Sequence, residues 1–319
     1  MERTMVERSG LDYYGLPARA VVGQSAMQRA AAVAGTGLSS LRAKKLIRSL
    51  DVAAVLGTGG YASVPGVLGA RLARRPVVLL EPNAMPGVAN RLLSRWAAVA
   101  AVTTVRAGQQ LHCRSVATGV PVRPEFSIRA EPAASTGSVH LLVLGGSQGA
   151  RQLNQLLPPA LARLAPEFPG IRVTHQVGAD LVEQAQQTYQ EHSLGDIDLR
   201  IVPFLDEVAA TMATAHLVIS RAGAVTLAEI CAVGRAALLL PLTLAGSHQV
   251  ANANTLVEAG GAEVLSPTET TSATLADRLG ALLQNRQRLV DMGRALQGLA
   301  RPEAAANVAN LLAEVTGAN

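Results

Sequence analysis

The 319-residue sequence predicts a tandem α/β fold, two parallel sheets each assembled from strand–loop–helix units. Three observations carry this. Short runs of Val, Leu, Ile and Ala recur, each bounded by glycine or a polar turn, as buried strands require. Helical stretches separate them, which makes the strands parallel and covers both faces of the sheet. The strand–glycine-loop–helix pattern also starts twice, near Val52 and again at His140. Between the two lies Glu131 to Ser138, a small, polar, proline-containing stretch that reads as a linker.

In order, residues 1–24 are mixed and turn-rich, with Gly10, Gly15 and Pro17, and residues 25–50 are helical in character. Val52–Leu56 reads as a buried strand. The loop Gly57-Thr-Gly-Gly-Tyr61 leads to a helix from Ser63 to Arg74, where Pro65 is tolerated near the start. Pro76–Leu80 and Ala98–Val102 are further strands, with a loop at Glu81–Gly87 and a helix at Val88–Trp96 between them. The second half reads as strands at His140–Leu144, Ile171–Gln176, Leu199–Val202, His216–Ile219 and Ala237–Leu240. Helices are expected at Arg151–Leu164, Leu181–His192, Asp206–Ala213, Thr226–Val233 and Gln249–Ala259. Three more, around 272–284, 286–298 and 303–315, close the chain.

Composition narrows the function. Hydrophobic content of 49% with 16% charged residues marks a globular protein, and aromatics of only 3% leave Ala, Leu and Val to build the core. No apolar run is long enough to span a membrane, and the polar N-terminus lacks a signal-peptide core, so a cytoplasmic protein is expected. Cys113 and Cys231 sit far apart in apolar surroundings and read as inert core thiols. Residues 1–135 hold 17 Lys and Arg against 7 Asp and Glu, while residues 136–319 hold 11 against 16. The basic half fits an anionic membrane surface or a phosphorylated substrate, or serves solubility alone. Scarce aromatics and the absence of any recognised motif argue against nucleic acid. No Walker A loop, nicotinamide fingerprint or metal-ligand spacing is present, so no cofactor and no metal are expected.

The stretch Ser220-Arg-Ala-Gly-Ala-Val-Thr-Leu-Ala-Glu229 carries the most chemistry. A buried strand precedes it and a helix follows. A helix N-terminus offers unpaired N–H groups and partial positive charge to a phosphate. A carboxylate at Glu229, further along that helix, suits sugar hydroxyls. Alone, the stretch fits both a nucleotide-sugar site and an ordinary strand–turn–helix with a solvated Glu.

Taken together, the motifs Gly57-Thr-Gly-Gly-Tyr61, Gly119-Val-Pro-Val-Arg123, Gly145-Gly-Ser-Gln-Gly-Ala-Arg151 with Leu153-Asn154, Pro203-Phe-Leu-Asp206, Ser220 to Glu229 and Gln249 to Asn252 resemble the MurG family of glycosyltransferases. They follow family order and spacing over nearly the whole chain. The resemblance implies a GT-B fold, two Rossmann-like domains facing across a cleft. It assigns residues 1–134 to the acceptor- and membrane-facing domain, 135–302 to the donor domain, and 303–319 to a helix crossing back. It implies an inverting transfer of N-acetylglucosamine from UDP-N-acetylglucosamine to lipid I, giving lipid II for peptidoglycan, by a protein peripheral on the cytoplasmic face of the membrane. Other cell-wall proteins are possible partners. Carried over, Leu205 contacts uracil through its backbone, and Ala224, Val225 and Thr226, followed by Leu227 and Ala228, meet the diphosphate. Glu229 takes the ribose hydroxyls and Gln249 the sugar. Asn83, Arg123 and Ser147 fall on nucleotide-sugar positions, and Gly59, Gly60 and Tyr61 on an acceptor loop. Other GT-B enzymes of UDP-sugars, a glycolipid transferase or an epimerase, and a non-catalytic UDP-sugar-binding protein are the alternatives.

The sequence also departs from the family. Members open with a strand, a Gly-Gly-Thr-Gly-Gly-His loop and a helix, roughly 40 residues or one βα unit and its next strand. This sequence starts after them, and the expected cause is a misplaced or truncated start. The His usually proposed as base lies in that loop, so no catalytic base is assigned, and the chain as given is expected to bind the donor and turn over poorly. The family's His-Glu-Gln-Asn motif here reads Leu80-Glu81-Pro82-Asn83. Neither His248 nor Glu81 is expected to replace the base.

Overall fold

The computed structural model describes residues 2–18, 25–127, 138–146, 149–242 and 248–317. By contacts the chain divides into two units. The first comprises Met1–Pro82, Pro86–Thr118 and Ala306–Asn319, the second Asn83–Met85 and Gly119–Ala305.

The first unit holds α1 (Glu2–Arg8), α2 (Ala26–Ser49), β1 (Val55–Gly57), α3 (Gly60–Ala73), β2 (Val77–Glu81), α4 (Val88–Leu93), β3 (Val99–Val102), α5 (Val105–Gly108) and β4 (Arg114–Ala117). Its four strands are parallel in the order β1-β2-β3-β4. β3, made of Val-Ala-Ala-Val, is buried along its whole length, as an inner parallel strand must be. Ala43 of α2 and Val67 and Ala70 of α3 cover one face with Leu79 and Ala100. Val308 and Leu311 of the last helix cover the other, against Val78, Val99 and Ala101.

The second unit runs β5 (His140–Leu144), α6 (Arg151–Leu164), β6 (Arg172–Gln176), α7 (Val182–Gln190), β7 (Asp198–Val202), α8 (Val208–Thr214), β8 (Leu217–Ser220), α9 (Ala224–Val233), β9 (Ala236–Leu239), α10 (His248–Glu258), β10 (Ala262–Val264), α11 (Ser272–Gln284) and α12 (Arg286–Gln297). The closing helix, α13 (Ala304–Thr316), packs in the first unit from residue 306 onward. The six strands are parallel in the order β10-β9-β8-β5-β6-β7. The chain therefore winds outward from β5 in one direction, then returns to place β8 on its other side. This reversal is the topological switch point, where loops after neighbouring strands diverge and leave room for a ligand. Leu153, Leu157 and Leu161 of α6 pack with Leu275, Leu279 and Leu282 of α11 on one face. Met212, Ile230 and Leu256 fill the other. Each fully buried leucine contributes about 2 kcal/mol through apolar area removed from water.

Several elements differ from expectation. Residues 2–8 form a helix where mixed structure is expected, and β1 lies later than the expected strand at Val52–Leu56. β4 and β10 go unread in the sequence because neither presents an apolar run: β4 is Arg-Ser-Val-Ala at a sheet edge and β10 only Ala-Glu-Val. The contact boundary falls at Thr118/Gly119 where the sequence reading places 134/135. Phe126 explains this, being fully buried in the core of the second unit. All but Ser138 of the expected linker lies outside the described residues.

Candidate functional site

The turn between β8 and α9 sits at the carboxyl end of the sheet, next to the switch point. All four β8 residues are buried, so the strand delivers the turn from a fixed base. α9 begins at Ala224 after Gly223, whose backbone is extended (φ −67°, ψ 133°), with no side chain capping the helix. The ladder starts with Leu227 N–H donating to Gly223 C=O at 2.9 Å. The N–H groups of Ala224, Val225 and Thr226 precede it and have no partner within the helix. The helix dipole adds partial positive charge at the same point. α9 ends at Gly234 in the left-handed conformation (φ 72°).

Glu229 lies in the middle of α9 with its side chain 12% exposed, and Arg123 Nη2 stands 3.7 Å from its Oε1. Burial raises the Glu229 carboxyl above its ordinary value, Arg123 opposes the rise, and Glu125 adds to it. Arg123 also pairs with Glu125 Oε1 at 2.8 Å and lies over the Phe126 ring, 5.1 Å from its centroid. The structure thus brings together Arg123 and Glu229, two positions the resemblance names and the sequence holds far apart. Leu205 is 3% exposed and belongs to the same core cluster as Leu142 and Leu144. Val225 is exposed at the helix tip and Leu227 is buried beneath it.

α10 flanks this turn with two amides one helical turn apart. Gln249 Oε1 accepts from Ala222 N–H at 3.2 Å and from Leu242 N–H at 2.9 Å. Asn252, buried, donates from Nδ2 to Ala222 C=O at 3.2 Å and to Asn83 Oδ1 at 3.1 Å, and its Oδ1 accepts from Ala84 N–H at 2.8 Å. His248, at the start of α10, donates from Nδ1 to Met85 C=O at 2.9 Å. Arg221 turns back to Leu240 C=O at 3.2 Å and Gln152 Oε1 at 3.4 Å, and burial lowers its guanidinium from the ordinary value.

The loop after β5 begins with Gly145, where a Cβ would lie 2.7 Å from Gln176 O, so the chain passes there only without a side chain. Ser147 lies outside the described residues. In the first unit, Gly59 and Gly60 hold φ of 87° and 68° ahead of α3, and Tyr61 is 55% exposed. Glu81 is 2% exposed, and its Oε2 accepts from Gly87 N–H at 2.9 Å and Asn90 Nδ2 at 3.0 Å. It is a buried carboxylate engaged with its own loop.

Residues 140–308 match the glycosyltransferase family 28 C-terminal domain, and residues 1–102 match its N-terminal domain. The chain belongs to glycosyltransferase family 28. A Syntrophotalea carbinolica protein is 39% identical over 274 residues, 85% of this chain and 75% of its own length. A Methylococcus capsulatus protein is 36% identical over 319 residues, 100% of this chain and 88% of its own. Both are named UDP-N-acetylglucosamine–N-acetylmuramyl-(pentapeptide) pyrophosphoryl-undecaprenol N-acetylglucosamine transferase. The crystal structure of Acinetobacter baumannii MurG is similar with a TM-score of 0.80 and 31% identity, covering 98% of this chain and 88% of that one. The UDP-GlcNAc 2-epimerase of Neisseria meningitidis, solved bound to UDP-GlcNAc, has a TM-score of 0.69 at 13% identity, covering 98% and 89%, and shares the fold alone. The GT-B reading of the sequence therefore holds, and the protein is a glycosyltransferase.

Within this family-28 site, the sequence assigned no role to Asn252, Arg221 or Gln152. The readable signal was the spacing of Gln249 and Asn252, i and i+3 on a predicted helix, which puts two amides on one face.

Proposed function

We propose that this glycosyltransferase moves N-acetylglucosamine from UDP-N-acetylglucosamine to lipid I, releasing UDP and forming lipid II. One observation carries the donor half: uncapped N–H groups at the tip of α9, one and a half turns from a half-buried carboxylate beside an arginine. That spacing suits a diphosphate at the tip and a ribose diol at Glu229. In this reading Ala224, Val225 and Thr226 hold the diphosphate, and Leu205 offers its backbone to uracil. Gln249, with its Oε1 engaged, presents its NH2 to the sugar, while Asn83, Arg123 and Ser147 complete the contacts. Gly59, Gly60 and Tyr61 belong to the acceptor loop.

The acceptor hydroxyl oxygen bonds to the anomeric carbon as the bond from that carbon to the β-phosphate oxygen breaks. The electron pair leaves with UDP, the hydroxyl proton passes to a base, and the configuration inverts. Charge grows on the diphosphate as the bond breaks. Preorganised N–H groups stabilise it without reorganising, and such donors are each worth about 100-fold or more in rate.

The lipid acceptor implies work at a membrane surface, although among the described residues no helix is long and apolar enough to cross one. Exposed Val88, Leu92 and Trp96 alternate with exposed Arg91 and Arg95 along α4 and the turn after it, all on one face. Such a face suits an anionic bilayer, apolar groups entering the interface and guanidiniums meeting phosphates.

Calorimetric titration tests the donor half: UDP binds, UDP-glucosamine derivatives bind in competition with it, and no heat with UDP overturns the assignment. Sedimentation with phosphatidylglycerol vesicles tests the surface: the protein co-sediments, and Leu92→Ser with Trp96→Ser releases it. Equal sedimentation of the double variant removes this face from the proposal.

A further inference from the structure

We infer that the free edge of β10 takes an extended peptide segment of a partner protein, one in which acidic and apolar residues alternate. β10 closes one side of the six-stranded sheet, and among the described residues no strand pairs with its outer edge. Its inner edge is occupied by β9: Gly261 C=O accepts from Ala237 N–H at 3.3 Å, and Leu265 N–H donates to Leu239 C=O at 2.9 Å. Main-chain groups of successive strand residues point to opposite edges, so Ala262 and Val264 turn theirs outward. Such an edge is a template for a further strand. A groove of about 810 Å³ opens there, lined by all three residues of β10.

The two walls of the groove differ in chemistry. Strand alternation puts Ala262 and Val264 on one face of the sheet and Glu263 on the other. Ala262 and Val264 pack in the same core cluster as Leu256 of α10, and from α10 the groove is lined by Val257, 41% exposed. On the opposite face Glu263 meets Arg278 of α11, 3.7 Å away, and Arg288 of α12. The Glu263 side chain is 16% exposed, those of Arg278 and Arg288 57% and 47%, so one sunken carboxylate holds two cations at the surface of the groove. Asp291, on the same wall, is engaged by Gln287 Nε2 at 3.0 Å and Arg294 Nη1 at 3.5 Å. Three arginines against two carboxylates leave this wall net positive. A strand laid on β10 sends successive side chains to opposite walls, which selects acidic residues toward α11 and α12 and apolar residues toward Val257. Main-chain bonds to Ala262 and Val264 supply affinity, and the alternation supplies specificity.

Fluorescence anisotropy on the full chain tests this with a labelled peptide that alternates Glu and Val. The peptide binds saturably with a Kd of about 0.1 mM, and its counterpart with Gln in place of Glu binds about tenfold more weakly. Arg278→Ala weakens binding about threefold, and Arg278→Ala with Arg288→Ala about tenfold, while UDP affinity stays at the parent value. N-methylation separates strand addition from plain charge attraction. Alternate amides of the peptide face β10 and the others face away, so methylating one set abolishes binding and methylating the other leaves it within about threefold. The peptide substitutions leave the protein untouched, so the outcome does not hang on the folding of the double variant. Absence of saturable binding, equal tolerance of both methylated sets, or equal affinity for the Gln peptide overturns the inference. Displacement of the peptide by free glutarate at equal concentration makes the groove a site for small anions and overturns it too. So does a dimer of this chain in sedimentation equilibrium that the peptide fails to disperse, since the edge then pairs with its own copy.

Discussion

Two strand–glycine–helix turns in this molecule follow the same local rule and end in different states. The turn Ser220–Ala224 leaves a central, fully buried strand, and α10 holds its backbone at Ala222 from both sides. The turn Gly57–Gly60 leaves β1, a three-residue strand at the edge of the described sheet with Leu56 36% exposed. The glycines differ in kind. Gly59 sits at φ 87° and ψ −174°, a region other residues essentially do not occupy, and Gly60 at φ 68°. Gly223 has an ordinary φ of −67°, and a Cβ there would meet only Thr226 Oγ1 at 3.9 Å. Glycine in the first turn is demanded by the backbone. In the second the backbone does not demand it, and glycine there fits the proposed donor site, where it would let a phosphate approach the main chain.

The sharpest way to break this contrast is Glu229→Ala, expected to weaken UDP binding about 100-fold, since hydrogen bonds to a charged group contribute about 1.5–3 kcal/mol each. Tyr61→Ala leaves UDP affinity within about twofold. Equal losses in calorimetry would erase the distinction between the turns. The raised Glu229 carboxyl adds a pH signature. UDP affinity falls with acidification at a higher pH than an ordinary glutamate sets, because protonation removes the acceptor. The sign for the free protein is opposite: a carboxyl whose folded value is raised by burial costs stability once ionised, so the free protein gains stability as pH drops through that range. Glu229→Gln flattens both profiles.

Next in size, Gly59→Ala lowers stability by about 2 kcal/mol, read by chemical denaturation, with UDP affinity unchanged. Gly223→Ala does the reverse. Its stability stays within about 0.5 kcal/mol, and its UDP affinity drops about tenfold. A Gly223→Ala variant that melts early with normal affinity would show that backbone shape, and not ligand approach, selects glycine there. The smallest effect belongs to Arg123→Ala. Half exposed and 3.7 Å from Glu229, it contributes under about 1 kcal/mol to UDP binding. Its removal moves the Glu229 carboxyl further up, which shows as an acid limb shifted to higher pH.

Much of this architecture is written locally. His140–Leu144 and Arg151–Leu164 appear where the sequence places them, because an unbroken apolar run and a helical period each dominate their window. The glycine loops after β1 and β5 and the small-residue turn before α9 mark the carboxyl ends of their strands in the same way. Elements without such a signal escape: Arg114–Ala117 is half polar, and its pairing with β3 comes from a neighbour distant in sequence.

What the sequence by itself determined is therefore the repeating α/β pattern and the family, together with a set of candidate positions for a nucleotide-sugar. These rest on periodicity, turn chemistry and motif order, all properties of short windows. Only the tertiary structure decided that Arg123 faces Glu229, that burial shifts that carboxylate, that Glu81 is enclosed within its own loop, and that Asn252 joins Ala222 to Asn83. Each depends on groups brought together across long stretches of chain and on removal of water from between them, and neither is encoded in any single window of residues.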